Sequence, residues 1–203
     1  MRILLVTATE GEIAGLRPDL TSHVDVLVTG VGMVATAVRC SRALAQTKYD
    51  LALNVGICGS FDRSLVPGTV VHVVRDQIAE LGAEDDDAFV TVEEIQLPAE
   101  WTFVNSAPPP LEALRALPAV NAITVNTVHG NERSIAAVID RFRPEVESME
   151  GAAFMSACLI NNVTFAQVRS VSNIVERRNR GAWRVAEAID RLTQTTRLLL
   201  EQT

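Results

Sequence analysis

Residues 2–8, RILLVTA, are apolar or small at nearly every position instead of every second one, and residues 50–59, DLALNVGICG, and 164–172, TFAQVRSVS, behave alike. A strand with one wet face alternates; runs this continuous read as strands buried on both faces. DVLVTG (25–30), TVVHVVRD (69–76) and AITVNTVHG (122–130) are further strand candidates. Between them lie segments of helical spacing: ATAVRCSRALAQ (35–46), GAAFMSACLI (151–160) and the tail 183–200, with Val185, Ile189, Leu192 and Leu199 as its apolar positions. Doubly buried strands interleaved with helices predict an α/β fold, one domain over residues 1–203 with a central mixed, twisted sheet flanked by helices.

The stretch from Glu80 to Pro110 departs from this rhythm. It contains ELGAEDDDAF and NSAPPPLEAL and reads as an excursion from the sheet, since strands resume beyond it. Asp85 to Asp87 read as a solvated acidic loop in preference to a cation site.

Composition removes several function classes. A net charge of −7 argues against nucleic acid as a partner, because phosphate backbones attract basic faces. No segment approaches the roughly 20 uninterrupted apolar residues of a membrane helix, so no membrane role is expected. The N-terminal MRILLVTATEGEIAG has two Glu where a signal peptide needs its cleavage site and reads as the first strand of a cytoplasmic protein. Cys40, Cys58 and Cys158 are scattered and read as buried free thiols in a reducing compartment. His23, His72 and His129 form no ligand pattern, so neither metal nor cofactor is expected.

Four motifs carry possible chemistry. TGVGMVATA (29–37) matches a dinucleotide fingerprint, but it follows the second strand, and a tight structural turn near a ligand is the better reading. NVGICGSF (54–61) is a glycine turn at a strand end, where α/β sheets bind ligands and where Ile57, Cys58 and Gly59 would face one. Arg169 lies inside an apolar strand pattern, followed by Ser172 and Asn173. A buried Arg calls for an acidic partner, and Glu12 or Glu150 could supply it. In EVESMEGAAFMSA (145–157), Glu150 stands at the mouth of a buried helix, where an acid is costly unless something pairs with it.

TATEGEIAGL, TGVGMVATA, NVGICGSF, ESMEGAAF and VRSVSN occur together and in this order. In this the chain resembles the purine nucleoside phosphorylase and nucleosidase superfamily, especially its nucleosidase branch, over residues 1–173. NVGICGSF, ELGAED, ESMEGAAF and SNIVERRNRGAW most resemble the futalosine hydrolases, which release hypoxanthine from futalosine on a route to menaquinone. The resemblance implies a phosphorylase/hydrolase-like architecture, a purine nucleoside such as futalosine as the small-molecule substrate, and a homodimer or larger homo-oligomer.

It also implies roles. Glu150 would accept the ribose 2′- and 3′-hydroxyls, with Met149 against the sugar. Glu12 would be the general base for water, and Arg169 would position that water. Phosphorylases place Arg and Ser or Thr where this chain has Asn54 and Ile57, so the resemblance implies hydrolysis. Asn173 stands where adenine-cleaving nucleosidases have Asp; an amide, both donor and acceptor, suits a 6-oxopurine. Arg177, with Arg178 and Arg180, would meet a substrate carboxylate, and Phe154 or Trp183 would stack on the base. Alternatives are a nucleosidase or phosphorylase acting on inosine or methylthioadenosine, and a catalytically silent nucleoside-binding module.

Overall fold

The computed structural model describes residues 1–86 and 88–203, and its central element is a mixed sheet of eight strands. In chain order the elements are β1 (Ile3–Thr7), α1 (Glu10–Ile13), β2 (Val24–Val28), α2 (Met33–Gln46), β3 (Leu51–Ser60) and β4 (Val70–Ile78). There follow β5 (Gly82–Asp85), β6 (Ala88–Thr91), β7 (Thr102–Val104), α3 (Glu112–Arg115), β8 (Ala119–Thr124) and α4 (Glu132–Phe142). The chain closes with β9 (Val146–Ser148), α5 (Gly151–Ile160), β10 (Phe165–Ile174) and α6 (Val185–Glu201).

The sheet runs β10-β4-β8-β9-β3-β1-β2, and β10 also pairs with β3, so five of its strands close on themselves. Strands β2, β1, β3 and β10 are mutually parallel, while β10–β4 and β3–β9 are antiparallel. The expected mixed sheet flanked by helices is present; its partial closure was not expected.

Burial explains why these runs lack alternation. Every residue of β1 is buried. Ile3 and Leu5 join Leu51, Leu53, Ala166, Leu192 and Leu199 on the α6 side, whereas Leu4 and Val6 join Cys40, Ala52, Phe154 and Cys158 on the side of α2 and α5. Helix α5 is apolar around most of its circumference because α2 packs on one side of it and the sheet on the other.

Three boundaries moved for physical reasons. The strand expected over 122–130 ends at Thr124, because Glu80 accepts the amides of Asn126 and Thr127 and turns the chain away. The excursion forms the separate β5–β6 hairpin but returns as β7, antiparallel to β4. Asp85 and Asp86 are exposed, as a solvated loop requires, and Asp87 lies outside the described residues. The segment around Glu147 is a strand pairing with both β3 and β8 before α5 begins. No helix among the described residues is long and apolar enough to cross a membrane.

Candidate active site

Glu12 belongs to α1, which follows the C-terminal end of β1, the end of a parallel strand at which α/β sheets bind ligands. Thr9 precedes the helix, and its amide donates back to the carboxylate three positions on, a capping arrangement that turns Glu12 inward. Glu12 is 7% exposed. Its Oε2 accepts from Thr7 Oγ1 at 2.9 Å, Thr9 N at 2.9 Å and Thr9 Oγ1 at 3.0 Å, and its Oε1 from Ile57 N at 3.1 Å. Four donors, from the end of β1, the interior of β3 and a helix start, hold one carboxylate in one orientation. NVGICGSF is continuous strand through Ser60 and not the expected glycine turn, because both glycines keep extended backbone and residue 57 bonds Glu12 from within β3.

Arg169, 1% exposed, projects from the middle of β10. Its expected acidic partner is absent: among the described residues no carboxylate oxygen lies within 4.0 Å of it. Instead Nη2 donates to Asn54 Oδ1, while Asn54 Nδ2 donates to Val6 O at 3.1 Å. Asn54 therefore neutralises none of the charge but fixes the guanidinium. Glu12 is nevertheless close, since Arg169 Nη1 and Glu12 Oε1 both lie within 3.0 Å of the point a Cβ on Gly56 would occupy. Only glycine leaves that space to the two charged groups.

Glu150 stands immediately before α5, 6% exposed. Its Oε1 accepts the amide of Gly32 at 3.0 Å, and Oε2 has no protein partner among the described residues. Gly32 precedes α2 with φ of 103°, a conformation side chains resist, so TGVGMVATA is a structural turn that aims a helix N-terminus at an acid. Met149, half-buried, adjoins it.

The end of β10 supplies the amide. Asn173 Oδ1 accepts from Ser172 Oγ at 2.8 Å, and Nδ2 donates to Ile174 O at 3.1 Å, which orients the side chain and leaves one N–H and one lone pair free. Cys58 O, 3.0 Å from Ser172 Oγ, is an alternative acceptor for the same hydroxyl proton. Burial pushes the Cys58 thiol up to about 12, partly offset by the Arg169 charge, so the thiol is protonated and unreactive. Gly59 pairs with Asn173 on one side and with Glu147 on the other.

Other expectations fare differently. Phe154 is fully buried and meets Phe165 edge-on at 5.9 Å, so it cannot stack on a base. Trp183 stays half-buried, with the Arg178 guanidinium 5.6 Å from its ring centre. Arg177 is exposed at a cleft of about 560 Å³ that also includes Arg63, Glu132, Val175 and Glu176. The acid at 147 and His129 were not foreseen: Glu147, 3% exposed, accepts from His129 N at 3.0 Å and meets His129 Nδ1 at 2.6 Å. The available signal was an acid at a strand position between Val146 and Ser148.

A family model described as the phosphorylase superfamily matches residues 6–202. A futalosine hydrolase of Streptomyces coelicolor is 33% identical over 87% of this chain and 80% of its own length. The native structure of futalosine hydrolase from Helicobacter pylori has a TM-score of 0.85 at 12% identity, covering 100% of this chain and 98% of that one. A 5′-methylthioadenosine/S-adenosylhomocysteine nucleosidase of Colwellia psychrerythraea, solved with adenine, gives 0.82 at 22% identity over 100% and 95%.

Proposed function

From the premise that the chain belongs to the phosphorylase superfamily, we propose that it hydrolyses the N-ribosyl bond of futalosine, releasing hypoxanthine and dehypoxanthinyl futalosine for menaquinone formation. The observation that carries this reading is the pair of buried carboxylates, Glu12 and Glu150, at the starts of two helices that follow strands of one sheet, the second with an oxygen unspent.

Glu150 accepts the ribose 2′- and 3′-hydroxyls, with Met149 against the sugar. Water attacks C1′ as the C1′–N9 bond breaks and its electron pair passes to the purine. The sugar becomes cationic on the way, as in glycoside cleavage, and a fixed anion beside it gains interaction energy as the bond stretches. Glu12 takes the water's proton; Arg169, held by Asn54, positions that water. The leaving base takes a proton from solvent at N7, and the N7–H then donates a hydrogen bond to Asn173 Oδ1 while Nδ2 donates to O6; Glu12 returns its proton to solvent. Ile57, Cys58, Gly59 and Ser172 line the base side.

Ile57 supports hydrolysis over phosphorolysis. Its side chain offers no donor, and its amide is already committed to Glu12, so a phosphate oxygen would find nothing there. Arg177 meets the substrate's carboxylate from the rim. The exposed valines Val31, Val34 and Val38 around the start of α2 support association into a homodimer or larger homo-oligomer. The free, buried Cys40, Cys58 and Cys158 support a cytoplasmic setting.

The test is to incubate the purified protein with futalosine, inosine and methylthioadenosine in phosphate-free buffer and identify the released base. Hypoxanthine from futalosine, at a rate indifferent to added phosphate, is expected. Phosphate dependence would make it a phosphorylase, adenine release a methylthioadenosine nucleosidase, and no release a silent binder.

A further inference from the structure

Asn173, Gly59 and Glu147 form one rung across three adjacent strands: Gly59 pairs in register with Asn173 on β10 and with Glu147 on β9. Residues so aligned present their Cβ atoms to the same face of a sheet. A Cβ on Gly59 would stand 2.8 Å from Val175 Cγ2, 3.4 Å from Asn173 Nδ2 and 3.5 Å from Glu147 Cγ, so the amide and the acid flank the one residue that has no side chain, with a valine methyl beside them. The register shift between Val171 and Asn173 is what brings the amide onto this rung.

Glu147 is not free to act alone. Both its oxygens are committed to His129, one to the backbone amide and one to ring Nδ1, and the ring is further fixed by Phe61, edge-on at 6.0 Å. An ionised carboxylate only accepts, so His129 Nδ1 carries the proton and donates it. In the neutral ring the other nitrogen, Nε2, is then an acceptor. Nε2 makes no hydrogen bond among the described residues and is not among the buried unpartnered atoms, so it opens to solvent.

We infer that His129, held by Glu147, is a second base-selecting residue, its Nε2 accepting the N1–H that a 6-oxopurine carries and a 6-aminopurine lacks. Asn173 reads N7 and O6, and N1 is the next position along the same edge of the base. Adenine presents a lone pair at N1 and would face Nε2 with no proton between them. Glu147 is the positioning residue that sets the tautomer. This rests on the reading of the site as a purine nucleoside hydrolase.

The test compares kcat/KM for futalosine and for its analogues carrying 1-deazahypoxanthine (a C–H in place of N1–H) or adenine as the base, in wild type, His129→Gln, His129→Phe and Glu147→Gln. Wild type needs no variant to fold: it should favour futalosine over the 1-deaza analogue by about tenfold to a hundredfold, the cost of one buried hydrogen bond. His129→Phe keeps a flat ring beside Phe61 but should lose that preference, and His129→Gln, whose carbonyl can accept, should recover part of it. Glu147→Gln presents an amide donor to Nδ1, moves the proton to Nε2, and should raise the adenine analogue relative to futalosine at least tenfold. A wild type indifferent to N1–H, or variants that lower all three substrates equally, would overturn the inference while leaving hydrolysis standing. A wild type that cleaves neither futalosine nor either analogue would overturn the underlying reading and this one with it.

Discussion

Glu150 Oε1 lies 3.0 Å from the backbone nitrogen of Gly32, joining the start of α5 to the start of α2 across 118 residues of sequence. The acid therefore rests on one helix N-terminus and precedes another, two positions that favour negative charge. That is how a carboxylate 6% exposed remains tolerable without a cation. Its remaining oxygen has no protein partner among the described residues.

Glu150→Gln keeps an oxygen for Gly32 and removes the charge. Stability should fall by about 1 kcal/mol or less, whereas kcat/KM should drop roughly 10²–10³-fold if a fixed anion stabilises the sugar. Thermal melting beside steady-state kinetics separates the two; equal kinetics with a lower melting point would reduce Glu150 to a structural cap.

Glu12→Gln is a harsher change than an isosteric swap suggests. Oε2 accepts three donors and Oε1 accepts Ile57 N, so an amide must turn its NH₂ toward at least one donor. A loss of about 1–3 kcal/mol is expected from the unmade bond, together with a kcat reduction of about 10²–10⁴-fold from the missing base. Urea titration and single-turnover rates read these separately, and a folded variant with near-normal turnover would remove Glu12 from the chemistry.

Asn173→Asp places an acceptor opposite Ile174 O, which now receives an N–H at 3.1 Å. The carboxyl can relieve this by carrying a proton, and it then suits a 6-amino base better than a 6-oxo base. The ratio of kcat/KM for adenine over hypoxanthine nucleosides should rise by about tenfold or more. An unchanged ratio would assign base selection elsewhere.

Asp76 makes stability depend on pH away from the sugar. It is fully buried on β4, accepting from Gln167 Nε2 at 2.9 Å and Thr124 Oγ1 at 2.8 Å. Desolvation raises it to about 6 from 3.8, with the Gln167 and Thr124 bonds and the Arg169 charge opposing. The folded state thus holds this proton more tightly than the unfolded chain. Its contribution is most favourable below the unfolded value, falls as pH rises from about 4 to about 6, and is level above. Asp76→Asn should be more stable than wild type at pH 8 by up to about 3 kcal/mol, with the gap closing toward pH 4. Its amide can also donate to Gln167 Oε1, which has no partner now, once that amide turns over. Unfolding free energies that differ by the same amount at every pH would contradict this.

The parts legible in the sequence were those settled by local pattern. GAAFMSACLI is α5 residue for residue, because an all-round apolar run bounded by Glu150 and Asn161 leaves little choice. The doubly buried strands were legible for the same reason, to within a few residues. Glu12, Glu150, Arg169 and Asn173 stand out as candidate site residues only together, through motif order. What escaped depends on who sits beside whom: β9 has three residues and exists because β3 and β8 flank it. Glu147 is an acid there because a loop residue eighteen positions earlier closes over it. Arg169 drew an expected ion partner from charge alone, yet the sheet places Asn54 against it and leaves Glu12 a glycine's width away.

The most direct test is a crystal structure of the Glu12→Gln variant with uncleaved futalosine. The account predicts the ribose 2′- and 3′-hydroxyls within hydrogen-bonding distance of the Glu150 carboxylate, with C1′ facing residue 12 across one water and the purine edge on Asn173. A nucleoside bound with its sugar away from positions 12 and 150 would contradict it.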